Sequence, residues 1–208
     1  MEMRFHSLTN ILETFGQLTD MIFELLPPAN RIHFVTDCYK DKSIKCPERK
    51  RRGSTKTKPL LLHGQSTKTP RDWKSFLSKD DNKRNFIILI KESWEDDRYA
   101  NRLRDKEMLF VSEEQCTCLT SRDRITTESS IVHCLFSSHE EADCRIILNS
   151  FQASKSECDE IVVHSPDTDV FLFLLFFALE ISKPLFLLTG TGCYRREIDT
   201  YICIGGDA

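Results

Sequence analysis

Apolar residues recur at helical spacing from Leu8 to Leu26, with Leu8, Ile11, Leu12, Phe15, Leu18, Ile22 and Leu25 on one face. Pro27 and Pro28 end that helix, because proline lacks the amide a continuing helix would use. The short apolar run Arg31-Ile32-His33-Phe34-Val35-Thr36, stopping at Asp37, predicts a buried strand. A second helical pattern covers about Trp73 to Ile90, with Phe76, Leu77, Phe86, Leu89 and Ile90 facing inward and Asp80, Asp81 and Asn82 interrupting it. Residues Trp94 to Lys106 are charged and read as a solvated helix or loop. Met108–Ser112 and Ser130–Phe136 predict strands, with a polar region of undefined shape between them.

The last third alternates plainly. Ser138–Ala153 predicts a helix, Glu160–His164 a strand, Thr168–Ile181 a helix, Pro184–Leu188 a strand and Glu197–Ile204 one more strand. Strand and helix in turn imply an α/β fold with a mostly parallel sheet and helices on both faces. Val170–Leu179 and Pro184–Leu188 are strongly apolar, but neither reaches the roughly 18 to 20 residues that span a bilayer. A buried helix followed by a buried strand is the expectation, with no membrane partner.

The 208 residues suit a single domain. A net charge of -3 argues against an overall electrostatic attraction to nucleic acid, so any such contact rests on local charge. Local charge exists in a basic loop at about 40–58, where Lys45, Arg49, Arg51 and Arg52 crowd together. A charged, irregular insertion is expected at about 92–130. The nine cysteines are scattered and follow no signal peptide, which implies reduced thiols in an intracellular, nuclear or cytoplasmic protein. Cys116, Cys118, His133 and Cys134 lie near one another in sequence but lack the second cysteine pair of a zinc finger. No histidine lies in a recognisable hydrolase-triad motif, and Gly190-Thr191-Gly192 lacks the spacing of a dinucleotide loop.

Acidic residues fall where an open α/β sheet places its chemistry, beyond the carboxyl ends of strands. Asp37 ends the strand that begins at Arg31. Glu141 and Asp143 open a helix beside Glu140, and Asp167 and Asp169 follow Ile161-Val162-Val163. Carboxylates converging on one cleft repel unless a cation lies between them, and hard oxygen donors favour Mg2+ or Mn2+ over zinc. Two such ions about 4 Å apart stabilise both the attacking and the leaving oxygen of a phosphodiester. The competing reading is local: Ser138 with Glu141 fits a capping box, and acids in a first helical turn complement the helix dipole.

Val35-Thr36-Asp37, Glu141-Ala142-Asp143 and Ser165-Pro166-Asp167-Thr168-Asp169 resemble the ordered acidic motifs of the PIN-like superfamily, which includes flap endonucleases and Asteroid-type proteins. Asp37-Cys38-Tyr39, Ser43-Ile44-Lys45 and Glu48-Arg49-Lys50-Arg51-Arg52-Gly53 extend the resemblance to a narrower group of animal proteins. It implies a three-layer PIN-like domain that hydrolyses phosphodiester bonds of DNA or RNA. Asp37, Glu141, Asp143, Asp167 and Asp169 would be its catalytic and metal-binding residues, with Lys45, Arg49, Arg51 and Arg52 binding phosphates. Glu140 has no clear counterpart, and Asp143 stands where glutamate is more usual. The family's domain opens on a strand with an early aspartate and closes on a later one. Neither is matched in this chain and Asp207 takes no role, so the resemblance implies a single domain over 1–208, incomplete at both ends. The alternative is a non-catalytic module for binding nucleic acid or protein, with a degenerate PIN-like fold.

Overall fold

The computed structural model describes residues 12–39, 60–189 and, for backbone pairing, 196–199. The chain divides into two compact units, one running up to Glu140 and the other beginning at Glu141.

The first unit opens with α1 (Phe15–Glu24). Thr14 and Gln17 form a reciprocal capping box: each side chain accepts from the other residue's amide. Phe15, Leu18, Ile22 and Phe23 are buried, the spacing that turns one helical face inward. Gly16 donates its amide to Gln65 O at 2.8 Å, and a Cβ there would lie 3.0 Å from the same oxygen, so the 64–67 turn packs directly on the helix.

Strand β1 (Arg31–Val35) pairs in parallel with β2 (Glu107–Ser112), from Arg31 opposite Glu107 to Val35 opposite Val111. The crossover between them carries α2 (Trp73–Leu77) and α3 (Asp80–Trp94). The expected interruption of this helical pattern falls at Ser78 and Lys79, just ahead of Asp80-Asp81-Asn82. Buried Asn82 secures the junction by donating to Phe76 O and accepting from Leu60 N. Aromatic rings fill the interior. Phe15 meets Trp73, Phe76 and Phe86 at 5.4–5.8 Å, and Trp94 meets Phe23, Phe34 and Phe110 at 5.0–5.5 Å. Such tilted or edge-to-face pairs each add about 0.5–1.5 kcal/mol beyond the area they bury.

β2 continues into a hairpin with β3 (Gln115–Thr120), and β3 pairs antiparallel with β4 (Glu128–Ile131), giving the sheet order β1-β2-β3-β4. The sheet is therefore mixed, and the mostly parallel arrangement is corrected: a tight hairpin and then a seven-residue connection add two antiparallel strands to the parallel pair. Only residues 113 and 114 separate Ser112 from its partner Gln115, and Glu113 takes a positive φ of 51° to make the turn. Residues 92–130, expected to be irregular, instead hold the end of α3, a 3-10 turn at Asp97–Tyr99 and three strands apart from the last residue of β4.

The second unit contains α4 (Ala142–Ser154), β5 (Ile161–His164), α5 (Thr168–Phe177), β6 (Leu185–Thr189) and β7 (Arg196–Asp199). β5 pairs in parallel with β6, and β6 antiparallel with β7. Its core is Ile147 from α4, Val170 and Leu174 from α5, and Ile161, Val163, Leu185 and Leu187 from the strands. These strand residues alternate and pair across the sheet, so both helices cover one face, while Val162 and His164 on the other face of β5 are exposed. Among the described residues no helix is long and apolar enough to cross a membrane.

Candidate functional site

Asp37 lies two residues beyond β1. Thr36 extends the parallel pairing by donating its amide and hydroxyl to Val111 O, at 3.0 and 3.1 Å. Cys38 is buried and donates its amide to Glu140 O at 2.7 Å, which fixes the segment carrying Asp37. The Asp37 carboxylate is half-buried and accepts a 3.2 Å hydrogen bond from the Tyr39 hydroxyl. Lys83 on α3 stands 5.3 Å from the centre of the Tyr39 ring, within cation–π range.

Sequence reasoning missed Glu113. Because β1 and β2 run in parallel register, the hairpin residue Glu113 comes to the same sheet end as Asp37. Its Oε2 lies 3.9 Å from Cys38 Sγ, and its Oε1 pairs with Arg84 Nε at 3.2 Å. The available signal was an acid two residues past Val111, the last apolar residue of its strand, the same relation Asp37 bears to Val35. A partly exposed pair of this kind contributes at most about 1 kcal/mol, so its importance is in placing charge.

The other four acids belong to the second unit. Glu141 is the N-cap of α4 in extended backbone (φ -91°, ψ 140°), and Asp143 stands in the first turn. Its helix begins at Ala142 rather than Ser138, and Glu141 makes no side-chain cap hydrogen bond, so the capping box read from Ser138 and Glu141 is not formed. Asp167 is the N-cap of α5, and its Oδ1 accepts the Asp169 amide at 2.9 Å. Buried Ser165 holds the approach: its amide donates to Leu188 O and its hydroxyl accepts the Asp167 amide at 3.2 Å. Asp167 and Asp169 are exposed, and Glu141 and Asp143 half-buried.

The topology brings these two pairs to one end of their unit. α5 starts directly after β5, so Asp167 and Asp169 lie past the strand's carboxyl end. The far end of α4 sits at the opposite edge, where Ser182, just ahead of β6, donates to Ser154 O at 3.3 Å. The N-terminus of α4, with Glu141 and Asp143, therefore points toward the same carboxyl end. α4 and α5 pack on each other directly.

Two helix N-termini carry positive partial charge, which favours the four carboxylates there without any ligand. Their oxygens are also the hard donors Mg2+ and Mn2+ take. Among the described residues, no three His, Cys, Asp or Glu side chains are gathered closely enough to hold one ion. Asp37 belongs to one compact unit and Glu141, Asp143, Asp167 and Asp169 to the other. Lys45, Arg49, Arg51 and Arg52 lie outside the described residues. No family model matches the chain, and searches of curated proteins and of solved structures also return no match.

Proposed function

We propose that the chain is a PIN-like domain of the metal-dependent nuclease type, acting on phosphodiester bonds of DNA or RNA. The observation that carries this reading is the shared placement of Glu141–Asp143 and Asp167–Asp169 at helix N-termini beyond the carboxyl end of a parallel strand pair. Asp37 occupies the equivalent position on the parallel pair of the other unit. A three-layer PIN-like arrangement belongs to this proposal, and it requires a cover for the sheet face of β5 on which Val162 and His164 are exposed.

Mg2+ or Mn2+ bound by Glu141, Asp143, Asp167 and Asp169 would neutralise phosphate charge and ease deprotonation of a water. The residues themselves do the positioning. Asp167 orders the first turn of α5 and so sets where the Asp169 carboxylate stands, while the Tyr39 hydroxyl and the Cys38–Glu140 backbone bond orient Asp37. Lys45, Arg49, Arg51 and Arg52 would contact phosphates. Incubating end-labelled RNA and single-stranded DNA with the chain and Mn2+ tests the activity: wild type should cut, and Asp169→Asn should not. Affinity for the uncut strand in Ca2+ should fall steeply as salt rises. Affinity unchanged by salt would rule out the phosphate contacts, and cutting by the variant equal to wild type would rule out the site.

A specific observation favours a second reading, a non-catalytic module for binding nucleic acid or protein. One oxygen of Asp167 is already occupied in capping its own helix, and no three-ligand group is gathered among the described residues. An Asp169→Asn variant that is more stable than wild type, in a chain that cuts nothing, would select that reading.

A further inference from the structure

Helix α5 is apolar on every side. Val170–Phe177 contains no polar residue, yet only Val170 and Leu174 of the helix are fully buried. Phe177, on the inner side, meets Phe151 of α4 at 5.8 Å between ring centres. The opposite side is open: Leu172, Phe176 and Leu179 are 59%, 76% and 82% exposed, and Phe173 beside them 38%. Leu172 and Phe176 stand one turn apart on α5, and Leu179 follows in the 3-10 turn Ala178–Glu180 that continues from the helix. A helix hydrophobic all round belongs in an interior, and the described residues of its own unit supply a partner for one side only.

We propose that this outer face of α5 is where a second copy of the chain docks, face to face across a two-fold axis. Area is the first argument. The four side chains expose roughly 500 Å² together, judged from their exposed fractions and ordinary side-chain areas. Two copies would therefore bury about 1,000 Å², the lower bound for a specific interface and the range of a weak, reversible dimer. Shape and charge are the second. The stripe is uncharged along its length, so an identical stripe complements it, and an isologous contact needs no other surface. An antiparallel crossing keeps the acidic pairs Asp167 and Asp169 of the two copies a helix length apart, roughly 15 Å. Each pair then faces the partner's far end, which carries both Glu180 and Lys183. The same rim disfavours a membrane as the occupant, because Asp167, Asp169 and Glu180 outnumber Lys183 and anionic lipid would repel them.

Sedimentation equilibrium of the full chain, from about 1 to about 200 µM, tests this proposal without reference to catalysis. The weight-average mass should climb from the 24.2 kDa of one chain toward twice that value. Phe176→Glu should hold it at one chain while far-UV circular dichroism stays unchanged. Leu179→Lys, at the end of the stripe, gives the same readout should Phe176→Glu disturb folding. Ile125→Glu, equally exposed but in the other unit, should leave self-association intact. A folded wild type with the mass of one chain throughout would overturn the proposal, as would association that survives both stripe variants. Co-sedimentation of a monomeric wild type with phosphatidylcholine–phosphatidylserine vesicles, lost in Phe176→Glu, would assign the face to membranes and overturn it equally.

Discussion

Replacing Asp167 separately by alanine and by asparagine divides the two jobs of its carboxylate. As an N-cap it accepts the Asp169 amide at 2.9 Å, and as a negative charge it sits at the positive end of the α5 dipole. Losing an Asp cap to alanine costs about 0.5–2 kcal/mol, and losing the charge a further 0.3–1 kcal/mol or so. Asparagine keeps an acceptor oxygen in the same place and loses only the charge. Asp167→Ala should therefore destabilise the second unit by about 1–2 kcal/mol, and Asp167→Asn by less than about 1 kcal/mol. Trp73 and Trp94 are the two tryptophans and both lie in the first unit, so their fluorescence does not report directly on this helix. Hydrogen exchange of the Val170–Phe177 amides does. Where opening is local, the alanine variant should exchange roughly five- to thirty-fold faster than wild type and the asparagine variant only a few-fold faster. Equal acceleration in the two variants would refute the capping role, because the charge alone would then account for the whole effect. At the proposed metal site the response should differ: each substitution would remove a charged ligand, so both variants should lose metal binding.

Other consequences follow from single contacts. Trp94→Phe removes the indole N–H donated to Thr19 O at 3.2 Å and leaves unfilled volume among Phe23, Phe34 and Phe110; it should cost about 1.5–3 kcal/mol in urea unfolding followed by Trp73 fluorescence. A loss below about 0.5 kcal/mol would show that the cluster repacks. Burial, with Glu107 adding to it, raises the Cys118 thiol above its ordinary pKa, so iodoacetamide should label exposed Cys134 well before Cys118; the reverse order would contradict the placement of β3. Asp123 accepts from the Thr126 and Ile125 amides and the Thr126 hydroxyl, which hold its carboxyl down at about 2. Because the folded value lies below the unfolded one, this order is fully present above about pH 4 and is lost as pH falls through about 2. Protection of the Ile125 and Thr126 amides, taken relative to the intrinsic exchange rate at each pH, should fall across that window and be absent throughout in Asp123→Ala.

Most helices were legible because their signals are local. The 3.6-residue period marked α1 from Phe15 onward, with Leu8 and Ile11 outside the described residues, and Pro27-Pro28 lay just past its end. The break between α2 and α3 fell at Ser78 and Lys79, ahead of the Asp80-Asp81-Asn82 cluster expected to make it. The sheet was less legible. β3 reads Gln115-Cys116-Thr117-Cys118-Leu119-Thr120, small and polar enough to pass for a loop, and it owes its place to a hairpin turn at Glu113 and to pairing on both sides. Ser130–Phe136 looked like one strand because it is apolar. Pairing with β3 instead draws Glu128–Ile131 into the sheet, and His133–Leu135 forms a 3-10 turn that buries Leu135. Parallel and antiparallel neighbours have similar compositions, so strand direction came from connection length, which the unread turn at Glu113 concealed. Of the candidate site, the placement of Asp167 and Asp169 at a helix start was legible because acids behind a buried strand leave a pattern. Glu113 was not, since its position depends on register with β1. The final predicted strand, Glu197–Ile204, is observed as Arg196–Asp199, and its remainder lies outside the described residues.

Calorimetric titration of Mg2+ or Mn2+ into the chain, beside an Asp167→Asn, Asp169→Asn double variant, tests the central claim most directly. Wild type should bind saturably, and binding should disappear in a variant still folded by circular dichroism. Heat of binding unchanged in the variant, or no binding by a folded wild type, would contradict the metal site and leave the non-catalytic reading in its place.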